Sequence, residues 1–400
     1  MDNFEFYLPT RHVFGSGVEN EVGARLAELG MDRVLLHYGG GSAERSGLLG
    51  RVRRSLEAAG VHYVELGGVT PNPRLDLALR GLELVRAENL GGLLAVGGGS
   101  AIDSAKCIAM AACYDGDVWD FYSGKAQPLT ALPVACVPTI PAAGSESSNS
   151  SVISRVDADG TVWKRGAGSE LIRPVLALMN PELTWTLPPA QTANGVADIF
   201  AHVTERYFTN SGGTYLVDQL CEGILRTLVR YAPLVIADPC HAEGRAQIMW
   251  AGTLAHNNLV GVGRVQDWAS HQIEHELSAV YDVAHGAGLA VVLPAWMRFV
   301  YRHDPARFVR FATCVFGVEN DPFAPEAVAL AGIRRLVAFY RSIGLATSFA
   351  ELGGRVEDID RLISGIRWNA EGQLGNFVKL GPTEVREIYR LMQDPDMERS

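Results

Sequence analysis

The texture of the chain changes at one point, Pro188-Pro189, and that change limits most strongly how it can fold. Between about residues 30 and 185, short apolar runs alternate with runs of helical spacing. RVLLHYG (33–39), VHYVEL (61–66), GGLLAVGGG (91–99), ALPVACVPT (131–139) and PVLALMNPEL (174–183) read as strands, and residues 43–60, 73–90 and 101–113 read as helices. This alternation predicts a parallel sheet with helices on both faces. SVISRVDADGTVWKR (151–165) is different: two short runs flank Asp159-Gly160, a hairpin signal. Beyond the prolines, residues 191–209, 215–236, 242–260, 265–280 and 288–302 keep helical periodicity. The expected architecture is an α/β nucleotide-binding domain over 1–187 and an all-α domain over 188–400.

Composition agrees with two domains. The chain has 400 residues, 48% of them apolar, enough for substantial cores. Lys plus Arg number 35 and Asp plus Glu 45, a net charge of −10. Such a surface binds phosphate backbones poorly, which argues against a nucleic-acid partner. Six cysteines lie scattered without a C-x-x-C pair, and we expect them reduced and mostly buried. The first residues, MDNFEFYLPT, lack the cations and apolar run of a secretion signal. No stretch approaches the roughly 18 apolar residues of a membrane span. A cytoplasmic protein without a membrane partner is expected.

Two glycine clusters follow expected strands: Gly39-Gly40-Gly41-Ser42 and Gly97-Gly98-Gly99-Ser100. Glycines let the backbone approach phosphate oxygens, and a following helix offers unpaired N–H groups to an anion. Either cluster alone also reads as a plain strand-to-helix turn; two on one sheet favour a dinucleotide. Neither fits the G-x-G-x-x-G pattern in its usual setting. The first cluster has no acid at its tip to repel a 2′-phosphate, and Arg45 is a candidate charge partner, with Glu44 beside it. The expectation is NADP(H), with NAD possible.

Six of the ten histidines fall between 202 and 285, among them His202, His256, His271, His275 and His285. Asp198 and His202 are four apart on an expected helix, as are His271 and His275, so each pair leaves one helix face. His285 stands among glycines at an expected helix start. One carboxylate and three imidazoles would fill four positions around a divalent metal and leave one for substrate. A surface ion pair and a solvated helix face are the plainer readings. The apolar neighbours in VADIFAHV and WASHQIEHEL count against them, because buried charge needs a partner. Spacing leaves open which of His271 and His275 is the ligand.

The stretches GGGSAIDSAK (97–106), TIPAAGSESS (139–148), NPELTWTLPP (180–189), GVADIFAHVTE (195–205), HQIEHELSA (271–279) and DVAHGAGLAVVLP (282–294) together resemble the iron-containing (group III) alcohol dehydrogenase family. YGGGSAERSG (38–47) and VQDWASH (265–271) resemble its NADPH-dependent butanol dehydrogenase and aldehyde reductase branch. The resemblance implies hydride transfer between a nicotinamide and an alcohol or aldehyde, with Fe(II) or Zn as the metal, and a homodimer or larger homo-oligomer. It implies metal ligands at Asp198, His202, His271 and His285, with His275 a near-site histidine; the proton path is open among His275, a bound water and the ribose hydroxyls. It places the cofactor pyrophosphate on Gly97 to Ser100 and Asp103 near the nicotinamide. Asn72, Thr139, Lys164 and Leu183 fall on cofactor-contacting positions. The T-G-S-E stretch common in the family reads Ala143-Gly144-Ser145-Glu146 here, with one hydroxyl lost. The alternatives are a dehydroquinate synthase-like or glycerol dehydrogenase-like enzyme on the same plan, and a non-catalytic nucleotide or metal sensor.

Overall fold

A computed structural model describes residues 1–394, and the contacts divide the chain into two units, Tyr7–Leu187 and Pro188 onward together with Met1–Phe6. The first six residues thus pack with the helical unit rather than with the sheet, where the sequence grouped them. Asp2 N–H donates to Gly263 O at 2.9 Å. The C-terminal QDPDMERS is polar, which leads one to expect a frayed end; its residues 395–400 lie outside the described residues.

The first unit runs β1 (Arg11–Phe14), α1 (Val22–Glu28), β2 (Arg33–Gly39), α2 (Ser42–Arg45), α3 (Leu48–Ala58), β3 (His62–Val69), α4 (Leu75–Ala87), β4 (Gly92–Gly97), α5 (Gly99–Ala112), α6 (Trp119–Ser123), β5 (Val134–Pro138), β6 (Ser150–Val156), β7 (Val162–Gly168) and β8 (Leu176–Met179). The six-stranded sheet has the order β1-β8-β5-β4-β2-β3, and every neighbouring pair is parallel. β4 is wholly buried, as a central strand covered on both faces must be. β6 and β7 form the separate antiparallel hairpin that Asp159-Gly160 announced. The helix expected over 43–60 is interrupted at Ser46-Gly47, where Gly47 takes φ 72°. β1 and α1 carry too little pattern to be read from the sequence.

The order of the strands decides where a ligand can sit. From β2 the chain leaves toward β3 on one side; from β4 it leaves toward β5 on the other. β2 and β4 are adjacent, with Tyr38 paired to Val96, so the crevice at their carboxyl ends is a topological switch point. Both glycine clusters lie there.

The helical unit comprises α7 (Pro189–Tyr207), α8 (Tyr215–Ala237), α9 (Ala242–His256), α10 (Ala269–Tyr281), α11 (His285–Val300), α12 (Pro305–Phe316), α13 (Pro325–Ser342), α14 (Ile359–Gly365) and α15 (Pro382–Leu391). Pro189 opens α7 at its first position, where the missing N–H costs nothing. α7 and α11 are buried along most of their length and form the centre of the unit. They pack closely because Gly286 has no Cβ; one there would lie 1.9 Å from Asn194 O. No helix among the described residues is long and apolar enough to cross a membrane. Cys107, Cys136 and Cys221 are buried, whereas Cys113 and Cys240 are exposed, so burial of the cysteines is less general than expected.

Candidate functional site

In the helical unit, three helices bring Asp198, His202, His271 and His285 together. α7 presents Asp198 and His202 from one face, α10 presents His271, and α11 begins at His285. Asp198 Oδ1 is the hub. It lies 3.0 Å from His202 Nδ1 and 3.9 Å from Nε2 of both His271 and His285. Donor atoms of Asp198, His202 and His271 fall within 4.8 Å of one another, and all three residues are buried.

The other ring nitrogen of each histidine has a fixed acceptor. His202 Nδ1–H donates to Asp198 O at 2.8 Å, one helical turn back. His271 Nδ1–H donates to Glu205 Oε2, and His285 Nδ1–H to Glu274 Oε2. A carboxylate and a carbonyl only accept, so each Nδ1 carries a proton, and Nε2 is the ring atom available to a metal. Burial, with the like charge of His202 and His285, pushes the His271 pKa well below its ordinary value, which holds that ring neutral. Burial alone would raise Asp198, but His202, His285 and His271 outweigh it and hold the carboxyl at about 2.

Asp198 Oδ1 and His271 Nε2 are buried with no hydrogen-bond partner. Leaving a buried polar atom so costs roughly 1–3 kcal/mol, and an ion among these N and O donors would relieve it. The set fits a divalent metal of the Zn(II) or Fe(II) kind. His275 lies beside His285, ring centroids 5.6 Å apart, and is half-buried. Glu274, His275 and His285 also group their donor atoms, but the Glu274 oxygens already serve His285 and Ser278.

Several neighbours were not anticipated. The His256 ring lies tilted beside His202, 4.2 Å between centroids. Trp268 stands 5.1 Å from His271 in the left-handed region at φ 72°, with the Arg206 guanidinium 4.5 Å above its ring. Non-glycine residues persist there only when surroundings hold them. Here Asp267, just before it, accepts from the N–H groups of Ala269, Asn376 and Phe377. Glu205 and Glu274 were not singled out from the sequence, and both are fully buried. Their spacing was the available signal: Glu205 continues the Asp198–His202 face one turn on, and Glu274 follows His271 by three.

In the sheet unit, Gly39 to Ser42, Gly97 to Ser100 and Thr139 follow the adjacent strands β2, β4 and β5. A Cβ on Gly97 would lie 3.9 Å from Gly39 N, so the two turns face each other. Thr139 N–H donates to Gly97 O at 2.9 Å. α5 starts at Gly99, and the N–H groups of its first turn lack intrahelical acceptors. A Cβ on Gly40 would meet nothing within 4 Å, and one on Gly99 only Ala143 and Ser145 beyond 3.6 Å. This open, N–H-rich crevice fits a pyrophosphate. Glu44 pairs with Arg53 at 3.0 Å, while the Arg45 guanidinium reaches back over Gly41.

Asp103, on α5, has both carboxylate oxygens engaged, by Ser145 Oγ at 2.5 Å and Val152 N–H at 2.9 Å. It therefore shapes the 143–152 loop instead of offering a free carboxylate. Lys106, one turn deeper and fully buried, donates to Ser145 Oγ, Ser148 Oγ and O, and Ser150 O at 2.9–3.0 Å. Burial lowers its pKa to about 8. Asn72 takes φ 54° between β3 and α4, Lys164 lies buried on β7 opposite Ser154, and Leu183 sits in the short turn after β8. These three stand on separate elements from the glycine turns.

Comparisons with known proteins identify the family. Residues 9–181 match the model "Iron-containing alcohol dehydrogenase", and residues 192–392 match "Fe-containing alcohol dehydrogenase family, C-terminal". The chain is 40% identical to a probable NADH-dependent butanol dehydrogenase 1 of Bacillus subtilis, over 98% of this chain and 99% of that one. It is 36% identical to the NADPH-dependent aldehyde reductase YqhD of Escherichia coli, over 97% and 99%. The crystal structure of NADH-dependent butanol dehydrogenase A from Thermotoga maritima superposes with a TM-score of 0.94 at 38% identity, over 98% and 99% of the two chains. The chain belongs to the iron-containing alcohol dehydrogenase family.

Proposed function

We propose that the protein is a metal-dependent alcohol dehydrogenase or aldehyde reductase that prefers NADP(H). The observation that carries this reading is the convergence of Asp198 Oδ1 with the imidazoles of His202, His271 and His285, each Nδ1 proton tied to an acceptor. These four side chains hold the divalent ion, which when bound supplies Lewis acidity to the substrate oxygen. The nicotinamide supplies or takes the hydride. Gly97 to Ser100, with Gly39 to Ser42, cradle the dinucleotide phosphates, and Asn72, Thr139, Lys164 and Leu183 contact the cofactor. Asp103 keeps the Ser145 loop in place. His275 delivers the proton to the alkoxide oxygen during aldehyde reduction and takes it back during alcohol oxidation. Trp268 supplies an apolar wall against the substrate chain.

Preference for the 2′-phosphate rests on Arg45 near the first glycine turn and on the engagement of Glu44 by Arg53. The relatives' names divide between NADH and NADPH, so titration with both cofactors is the test. The dehydroquinate synthase-like reading needs free cations near the metal for a phosphorylated substrate. Arg206, Arg226, Arg245, Arg264 and Arg298 instead bond to backbone carbonyls within the unit. A homodimer or larger assembly is favoured by the exposed apolar side chains of Met1, Phe4, Tyr215, Leu216 and Val265, and light scattering measures it. Reduced-nicotinamide absorbance with a short panel of aldehydes tests the activity. Tight cofactor binding without aldehyde-dependent oxidation would point to a sensor instead.

A further inference from the structure

We propose that Glu205 and Glu274 are positioning residues of the metal centre, each clamping one imidazole with its Nε2 toward Asp198, and that position 288 is glycine to admit the Glu274 carboxylate. The inference rests on the metal-centre reading above.

The two carboxylates are placed by helical repeat. α7 carries Asp198, His202 and Glu205 at i, i+4 and i+7 on one face. α10 carries His271, Glu274 and Ser278 at i, i+3 and i+7, again on one face. Each helix therefore supplies an imidazole or carboxylate to the centre and a glutamate to its neighbour. Glu205 of α7 holds His271 of α10 at two points, accepting from its backbone N–H at 3.1 Å and from Nδ1–H. Glu274 of α10 holds His285 of α11 through Oε2, while Oε1 accepts from Ser278 Oγ. Both glutamates are fully shielded from water. A carboxylate so placed needs donors, and these imidazoles supply them. Among the described residues, no glutamate takes that role for His202; its Nδ1–H donates to the backbone carbonyl of Asp198.

Gly288 gives the independent observation. A Cβ there would lie 2.6 Å from Glu274 Oε1, 2.7 Å from its Cγ and 3.1 Å from its Cδ. The clash involves the middle of the side chain, so no small rotation of the carboxylate relieves it. Alanine at 288 would move Glu274 while leaving every proposed ligand unchanged. Loss of such an acceptor behind a ligating histidine typically weakens metal binding about 10–100-fold, because ring orientation and basicity both suffer.

The test is competition for Zn(II) between metal-free protein and a chelating indicator, with folding checked by circular dichroism in the same samples. Affinity is scored per folded chain. Glu274→Ala and Gly288→Ala should each raise the zinc dissociation constant about 10–100-fold, and Glu205→Gln and Glu274→Gln, which keep an acceptor oxygen but lose its charge, about tenfold. Gly288→Ala with an affinity within twofold of wild type overturns the proposal while the metal centre stands. Wild-type protein that takes up no zinc overturns both.

Discussion

Gly97 is the position at which the cofactor reading is most sharply exposed to experiment. Its φ of 156° lies where L-residues are strained, and a Cβ would sit 2.9 Å from the Ala101 Cβ in the first turn of α5. Holding an alanine there costs roughly 1–3 kcal/mol. The strain can be relieved only by moving the turn, and with it the N–H groups that face the pyrophosphate. If that free energy is drawn from dinucleotide binding, Gly97→Ala weakens the complex by roughly 5- to 150-fold, at tenfold per 1.4 kcal/mol. Fluorescence titration of the reduced cofactor measures it. The metal ligands belong to the other unit, so metal content should stay at the wild-type level. A dissociation constant within twofold of wild type would show that this turn does not carry the phosphates.

Other expectations concern separate parts of the molecule. Arg45→Ala should raise the KM for NADPH about tenfold or more, the scale of one charge-assisted contact, and leave NADH unchanged; equal effects on both would remove Arg45 from the 2′-phosphate. Trp268→Ala should lower kcat/KM for butanal about tenfold more than for acetaldehyde, since methylenes in a pocket are worth ~1–3 kcal/mol. A uniform loss would mean the indole only supports the histidines. His37 is buried between Leu66 O and Ser104 Oγ, and burial lowers its pKa to about 4. The unfolded chain takes up that proton below about 6.5, whereas the folded chain resists it, so stability falls as pH drops from 6.5 to 4, by roughly 3 kcal/mol. Denaturant unfolding of His37→Gln should show a shallower decline over that window, and an unchanged slope would place the effect elsewhere.

Much of this was legible because periodicity and chemistry coincided. The strands β2, β4 and β5 are buried apolar runs ending in glycine, proline or threonine, and the hairpin announced itself through Asp159-Gly160. β1 was not legible: RHVF is four residues long, half-exposed at the sheet edge, and carries no alternation to read. The pairing of the glycine turns depends on β2 and β4 being neighbours, and strand order is a long-range property that no local pattern encodes. Asp198 and His202 stood out because a carboxylate and an imidazole recur within an apolar helix. Glu205 and Glu274 did not, because a glutamate beside histidines looks the same in sequence whether it faces water or a neighbouring helix. Only the packing of α7, α10 and α11 turns these carboxylates inward.

The central claim is that one ion is held jointly by helices α7, α10 and α11. An anomalous-scattering map from crystals grown with Zn(II) tests it most directly. A single strong peak roughly 2.0–2.2 Å from an Asp198 carboxylate oxygen and from Nε2 of His202, His271 and His285 is the expected result. A peak coordinated by Glu274 and His275, or none among the four side chains, would contradict it.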